Sequence, residues 1–113
     1  MDRQLKKYLQ DIIDSINAID TYLQGKRDYF FYLQNKMIRR SVERELEIIG
    51  EAMNRLLKIH PDISITSATK IVDQRNLIIH AYDSVNDGMI WGVIINHLPK
   101  LKEEVTNLLG EVS

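Results

Sequence analysis

The amino-acid sequence predicts an all-α protein, built as one bundle of about four main helices over residues 1–113. Three observations support this prediction. Apolar residues recur at steps of three and four through most of the chain, which is the period of a helix. No segment shows the alternating pattern and tight turn of a β-hairpin. A length of 113 residues suits a single domain.

The first helix is expected over about residues 2–24, because polar residues fill the positions opposite a continuous apolar stripe. Gly25 marks its end. The second helix is expected over about residues 29–59. It should end at His60, since the residue before a proline, here Pro61, disfavours helical backbone angles.

The third helix is expected to begin after a break at residues 61–66, where Ser64, Thr66 and Ser67 offer hydroxyl groups for an N-cap. A polar turn at residues 83–88 then separates it from the fourth helix. Asn86 or Asp87 can cap that helix. Pro99 should bend it, because proline removes a backbone donor and crowds the preceding turn.

Composition excludes several classes of protein. The formal net charge of −1 gives no overall basic field for nucleic acid. The absence of cysteine excludes disulfides and thiolate sites and fits a reducing cytoplasm, so we expect a cytoplasmic protein. No apolar run approaches the roughly 20 residues of a membrane span, and the N-terminus is charged rather than signal-like. The histidines at 60, 80 and 97 lack HxxxH and HExxH spacing, so neither a metal site nor a cofactor is predicted.

A nucleic-acid role would need a local basic patch, and one short segment could supply it. Lys36, Arg39, Arg40 and Arg44 lie close together in the second predicted helix. The simpler interpretation is a solvated helix face with Arg40–Arg44 and Glu43–Glu47 as neighbours, and we favour it.

Residues 75–82 read RNLIIHAY, which core building alone does not explain. Arg75 can grip a phosphate through its planar fork of donors, and histidine accepts or donates protons near neutrality. Asn76, four residues before His80, is placed to orient the imidazole. Such a set suits attack by an RNA 2′-hydroxyl on the adjacent phosphate, with His80 moving protons and Arg75 stabilising charge.

An ordinary structural role for these side chains stays open. A histidine near a helix end is often a cap or a half-buried polar residue. Arg75 could pair with a nearby acid, and Glu47, Glu51 or Asp73 would serve. Arg75 and His80 also lie about 140° apart around a regular helix, so they do not stack directly.

The stretch RNLIIHAY resembles the Arg-x4-His-x-Tyr motif of the HEPN superfamily. More narrowly, the chain resembles the HepT-like toxins of HEPN-MNT toxin–antitoxin pairs. Three further stretches carry the resemblance: VERELEIIGEAMNRL at 42–56, IHPDI at 59–63 and VNDGMIWGVIINHLPKLKEEV at 85–105. They span nearly the whole chain and occur in the same order.

The resemblance implies an all-α homodimer in which the motifs of the two subunits face a shared cleft. It implies metal-independent endoribonuclease activity on RNA, with Arg75 and His80 as the catalytic pair and Asn76 as a supporting polar residue. It also implies a partner, an MNT-type nucleotidyltransferase antitoxin. Tyr82 resembles the tyrosine to which that partner transfers AMP, which would block RNA beside Arg75.

One departure from the family pattern lies two residues before Arg75. Family members often carry a small residue there, whereas this chain has Asp73, whose carboxylate could pair with Arg75 or His80 or repel an RNA phosphate. An alternative hypothesis is therefore a non-catalytic HEPN dimer that binds a nucleotidyltransferase, nucleotide or both. It predicts an intact complex that does not cleave RNA.

Overall fold

The computed structural model describes residues 3–81, 83 and 85–112. The described residues form helices and connecting turns, with no strand among them, which confirms the predicted all-α bundle. Six helices follow in order: α1 Arg3–Tyr22, α2 Tyr29–Gln34, α3 Lys36–Ile59, α4 Ala68–His80, α5 Asp87–Asn96 and α6 Leu98–Val112.

Two of the four predicted helices are each divided in two. The first division falls at Asn35, whose backbone is extended (φ −116°, ψ 94°) and ends α2 before α3 begins. The Asn35 side chain donates a hydrogen bond to the Phe31 carbonyl at 3.0 Å. The helix is thus interrupted at a polar residue whose side chain hydrogen-bonds a nearby backbone carbonyl, although no glycine or proline is present at this point.

The second division falls at His97, which separates α5 from α6. Pro99 is the second residue of α6, where a backbone N–H has no partner within the helix, so proline is tolerated. At the other end of α5, the Asn86 side chain accepts a hydrogen bond from the Met89 N–H at 2.8 Å. The predicted cap at Asn86 is confirmed. The interruption expected at Pro99 lies two residues earlier, at His97, which divides the predicted helix into α5 and α6.

The core is built mainly on α3, which packs against α1 on one side and α4 on another, while α6 packs against α1. The apolar stripe predicted for α1 is buried along its length. Among the fully buried side chains of this core are Leu9, Ile12, Ile49, Met53, Leu56, Ile71 and Leu101. The packing of α4 on α3 thus determines where the buried face of α4 lies. No described helix is long and apolar enough to cross a membrane.

Tyr32 on α2 is fully buried, and its ring packs against Trp91 of α5 at 5.4 Å between centroids. Its hydroxyl has no hydrogen-bond partner among the described residues. Burial raises the pKa of the Tyr32 phenol, so it stays neutral.

Tyr32→Phe is expected to raise the free energy of unfolding by about 1 kcal/mol, because it removes a desolvated hydroxyl and keeps the ring. Urea unfolding with an unchanged m-value measures the effect. Tyr22→Phe is the matched control, since the Tyr22 hydroxyl donates to Glu45 at 2.7 Å and its loss should not stabilise the protein. A clear destabilisation by Tyr32→Phe would contradict this account of the buried hydroxyl.

Candidate functional site

Residues 75–80 of the motif RNLIIHAY form the C-terminal end of α4. Arg75 and Asn76 are inside the helix, and His80 is its last residue. The helix stays regular to this point, and the Ala81 N–H still donates to the Leu77 carbonyl at 3.0 Å. Tyr82, the predicted acceptor of AMP, lies outside the described residues.

Arg75 packs directly on the backbone of α3 at Gly50. A Cβ atom added to Gly50 would lie 2.1 Å from the Arg75 Cβ and 2.7 Å from its Cγ, distances that real atoms do not reach. Glycine therefore allows α3 and α4 to approach closely here. The close approach brings the base of the Arg75 side chain against α3.

The Arg75 guanidinium is held by two polar side chains. Its Nη2 donates to Glu51 Oε2 at 2.6 Å, and its Nη1 donates to Asn76 Oδ1 at 2.8 Å. Its Nε is buried and has no partner among the described residues. The Arg75 side chain is only 21% exposed, so its head group occupies a restricted position.

Glu51 also contacts a second arginine. Its Oε1 accepts a hydrogen bond from Arg55 Nε at 2.9 Å, while its other oxygen binds Arg75. We call these three residues the Glu51 cluster. Hydrogen bonds from Arg55 to Tyr8 and Glu51 raise the pKa of its guanidinium. With two cations and one carboxylate, the cluster carries a net charge of +1.

The Glu51 cluster lies in a cleft of about 510 Å³ between α1, α3 and α4, which we call the Arg75 cleft. This volume is within the range of small-molecule sites. Two more ion pairs line it, Lys7–Asp11 at 2.8 Å and Arg44–Glu47 at 3.1 Å. The remaining lining residues are Tyr8, Ile48, Ala52 and Ile79.

His80 does not line the Arg75 cleft. It is exposed at the end of α4, and five residues of regular helix place it about 140° around the axis from Arg75. A single chain therefore brings Arg75 and Asn76 together but points His80 in another direction. Asn76, expected to orient His80, bonds Arg75 instead, because the guanidinium lies within reach and offers a charged donor.

Of the three acids considered as partners of Arg75, the structure selects Glu51. Glu47 pairs with Arg44 on its own helix. Asp73 is exposed and makes no ion pair with any residue in the described part of the chain. The residue that departs from the family pattern thus does not occupy the arginine.

The basic segment of α3 makes ion pairs within its own helix and with α5. Arg40 contacts Glu43 at 3.2 Å, and Arg39 lies 3.8 Å from Asp87 of α5. These contacts differ from the solvated face of a single helix favoured from the sequence, because Glu43 is buried and Asp87 lies on α5. Across residues 3–81, 83 and 85–112, no group of three histidine, cysteine or acidic side chains could hold a metal ion.

Sequence reasoning missed Gly50 and Arg55 as parts of this site. The signal for Gly50 was available, because an isolated glycine inside a strongly periodic helix costs about 1 kcal/mol and usually has a packing reason. Arg55 had no such signal, since its role depends on a carboxylate shared with another helix.

A scan against protein families matches residues 12–108 to the HepT-like family, described as ribonuclease HepT-like. The match covers most of the chain, including α3, α4 and the Glu51 cluster. The chain belongs to the HepT-like family. The resemblance drawn from its motifs is therefore confirmed at the level of the family.

Several curated proteins are similar over most of this chain. A Methanocaldococcus jannaschii protein named "Putative RNase" is 35% identical over 107 residues, covering 91% of this chain and 94% of that protein. A Thermococcus cleftensis protein named "Probable ribonuclease HepT" is 32% identical over 114 residues, covering 96% of this chain and 98% of its own.

The name of one longer relative gives two activities. The M. jannaschii protein named "Gamma-glutamylcyclotransferase and putative RNase" is 31% identical over 113 residues, covering 99% of this HepT-like chain. The chain spans 50% of that relative's length. No solved structure matches the chain significantly.

Proposed function

We propose that this HepT-like protein is an endoribonuclease that needs no metal and acts as the toxin of a toxin–antitoxin pair. The observation that supports this most is the placement of Arg75. In a chain of a ribonuclease family, the arginine of the motif is held in a charged cleft large enough for part of a nucleotide. Glu51 and Asn76 fix its head group there.

The proposed reaction is transesterification within RNA. The 2′-oxygen attacks the adjacent phosphorus as its proton passes to a base, and the bond from phosphorus to the 5′-oxygen breaks. The products are a 2′,3′-cyclic phosphate and a 5′-hydroxyl that has received a proton from an acid. Arg75 stabilises the charge that develops on the phosphoryl oxygens, and His80 transfers protons.

A homodimer would supply what one chain lacks. The reaction uses both a base and an acid, and each chain carries one His80, which points away from its own Arg75 cleft. Ile79, the residue before His80, is 43% exposed, so the motif itself presents apolar surface beside the histidine. Two chains meeting at the ends of their α4 helices would place two histidines and two arginines at one cleft.

Regulation is proposed to act on Tyr82. An MNT-type nucleotidyltransferase antitoxin would transfer AMP to its hydroxyl, releasing pyrophosphate from ATP. In the sequence, Tyr82 follows His80, the last residue of α4, by two residues. A bulky anion there would exclude RNA by occupation and by charge repulsion.

The intact mass of the purified chain tests both parts of the proposal. The chain is expressed alone and beside the nucleotidyltransferase, and both samples are assayed for RNA cleavage in the presence of a chelator. We expect cleavage by the unmodified chain, and loss of cleavage with added AMP masses in the second sample. Tyr82→Phe should remain unmodified and active beside the same partner.

The outcomes separate the competing hypotheses. Unmodified protein that forms a complex with the nucleotidyltransferase but leaves RNA intact would favour the non-catalytic binding module. Cleavage that persists with full AMP occupancy would remove the proposed regulation and leave the ribonuclease.

A further inference from the structure

We propose that Glu51 is a positioning residue for Arg75, and that it sets the orientation in which the guanidinium meets the RNA phosphate. The inference rests on the proposed ribonuclease function and deepens it. Glu51 does not touch RNA in this account. It acts through the two arginines that it bridges, Arg55 and Arg75.

Some N–H donors of Arg75 bind protein groups or are buried, and the others are free to bind a phosphate. A guanidinium has five N–H donors. Glu51 takes one on Nη2, Asn76 takes one on Nη1, and the Nε donor is buried. One N–H on each terminal nitrogen therefore remains for a phosphate. Because the other donors are engaged or buried, the direction of these two is fixed before RNA binds.

The contact also restrains a side chain that would otherwise be mobile. A free arginine head group loses up to about 2 kcal/mol of conformational entropy when it is ordered. Here the α3 backbone at Gly50 restrains the base of Arg75, and Glu51 restrains its end. Arg55 restrains Glu51 in turn through the second carboxylate oxygen. The Arg75 side chain therefore loses this conformational entropy when the protein folds, and not when RNA binds.

A carboxylate beside a phosphate-binding arginine would normally weaken the arginine by neutralising it. The Glu51 cluster avoids this, because one carboxylate is shared by two guanidinium groups and a charge of +1 remains. The neutral Asn76 amide holds the other terminal nitrogen at no electrostatic cost. Glu51 can therefore orient Arg75 while the cluster still attracts an anion.

Glu47 offers a matched control for Glu51. Both are glutamates on α3, one turn apart, both line the Arg75 cleft and both pair with an arginine. Only Glu51 contacts Arg75. Removing either negative charge makes the electrostatic potential in the cleft more positive. Only a change at Glu51, however, alters the orientation of Arg75.

We expect Glu51→Gln to lower kcat for RNA cleavage about 10- to 100-fold with KM changed less than about threefold. The amide offers one acceptor where the carboxylate offers two, so it cannot bridge Arg55 and Arg75. Glu47→Gln should lower kcat at least about fivefold less than Glu51→Gln does, because it removes a charge from the same cleft without contacting Arg75. Equal kcat values for Glu51→Gln and the wild type would overturn the inference.

A second readout does not depend on cleavage. The Arg75 Nε–H is buried, so its proton should exchange slowly with water in ¹⁵N NMR spectra, where Arg75→Lys identifies the signal. Glu51→Gln should speed this exchange at least tenfold, and Glu47→Gln should leave it unchanged. Slow exchange in both variants, or fast exchange in the wild type, would overturn the positioning role.

The two readouts separate failure of the inference from failure of the proposed function. A wild-type chain that shows the slow Arg75 signal, loses it only in Glu51→Gln and yet leaves RNA intact would support the positioning and contradict the ribonuclease. If Glu51→Gln cleaves RNA at the same rate as the wild type, the proposed ribonuclease activity stands and the positioning role of Glu51 is contradicted.

Discussion

His80→Ala is expected to lower the rate constant for RNA cleavage by a factor of about 10²–10⁴, the usual loss when a general acid or base is removed. The rate should be measured at saturating RNA, so that it reports the chemical step rather than binding. RNA binding by the variant should stay within a few-fold of the wild type, because Arg75 and the Glu51 cluster are unchanged.

His80 allows a cleaner test than Arg75 because of where each residue lies. His80 is the exposed last residue of α4, so its truncation leaves no cavity and no buried partner. The expected loss of stability is below about 1 kcal/mol, mainly from a weaker interaction with the helix C-terminus. Arg75→Ala would also release Glu51 and remove packing on α3, which mixes a structural effect with a chemical one.

The thermal midpoint of the His80→Ala variant supplies the control. A midpoint within a few degrees of the wild type, together with loss of cleavage, would assign the loss to chemistry. A folded His80→Ala protein that keeps more than a tenth of the wild-type rate would exclude His80 as the proton-transfer group. Proton transfer would then belong to another residue or to water.

The helices could be predicted from the sequence because their apolar stripes are long and regular. The stripe of α1 identifies a helix at every turn, and Pro61 and Asn86 mark boundaries through known backbone chemistry. The division at Asn35 could not be predicted in this way. Apolar residues continue in helical register on both sides of Asn35, and its extended backbone depends on a local hydrogen bond of its own side chain.

The candidate site likewise has features that the sequence predicts and features that it does not. The motif identifies Arg75, Asn76 and His80, because residue type and spacing within one helix are visible in the sequence. The choice of Glu51 over Asp73 as the partner of Arg75 is not visible, since it depends on how α4 lies on α3 across 24 residues of chain. The sequence left Glu47, Glu51 and Asp73 open as partners, and the helix turns Asp73 toward solvent.

Gly50→Ala is expected to destabilise the protein although alanine is the better helix former. Alanine should stabilise the interior of α3 by about 1 kcal/mol through helix propensity. Its Cβ, however, would lie 2.1 Å from the Arg75 Cβ and 3.2 Å from the Ile71 carbonyl oxygen, so α3 and α4 must separate. Overpacking of this kind costs about 1–3 kcal/mol or more. The closest clash is with the Arg75 Cβ, which no side-chain rotation can move away.

Gly110→Ala in α6 is the control for the effect of helix propensity on stability, because nothing lies within 4 Å of the added Cβ. We expect Gly110→Ala to leave the free energy of unfolding unchanged or slightly higher and Gly50→Ala to lower it, both by urea unfolding. Gly50→Ala should also reduce RNA cleavage in the fraction that remains folded, since separating α4 from α3 moves Arg75 away from Glu51. If both substitutions stabilised the protein equally, α3 and α4 would not approach at Gly50 as closely as this structure has them, and the restraint on Arg75 would have to come from Glu51 and Asn76 alone.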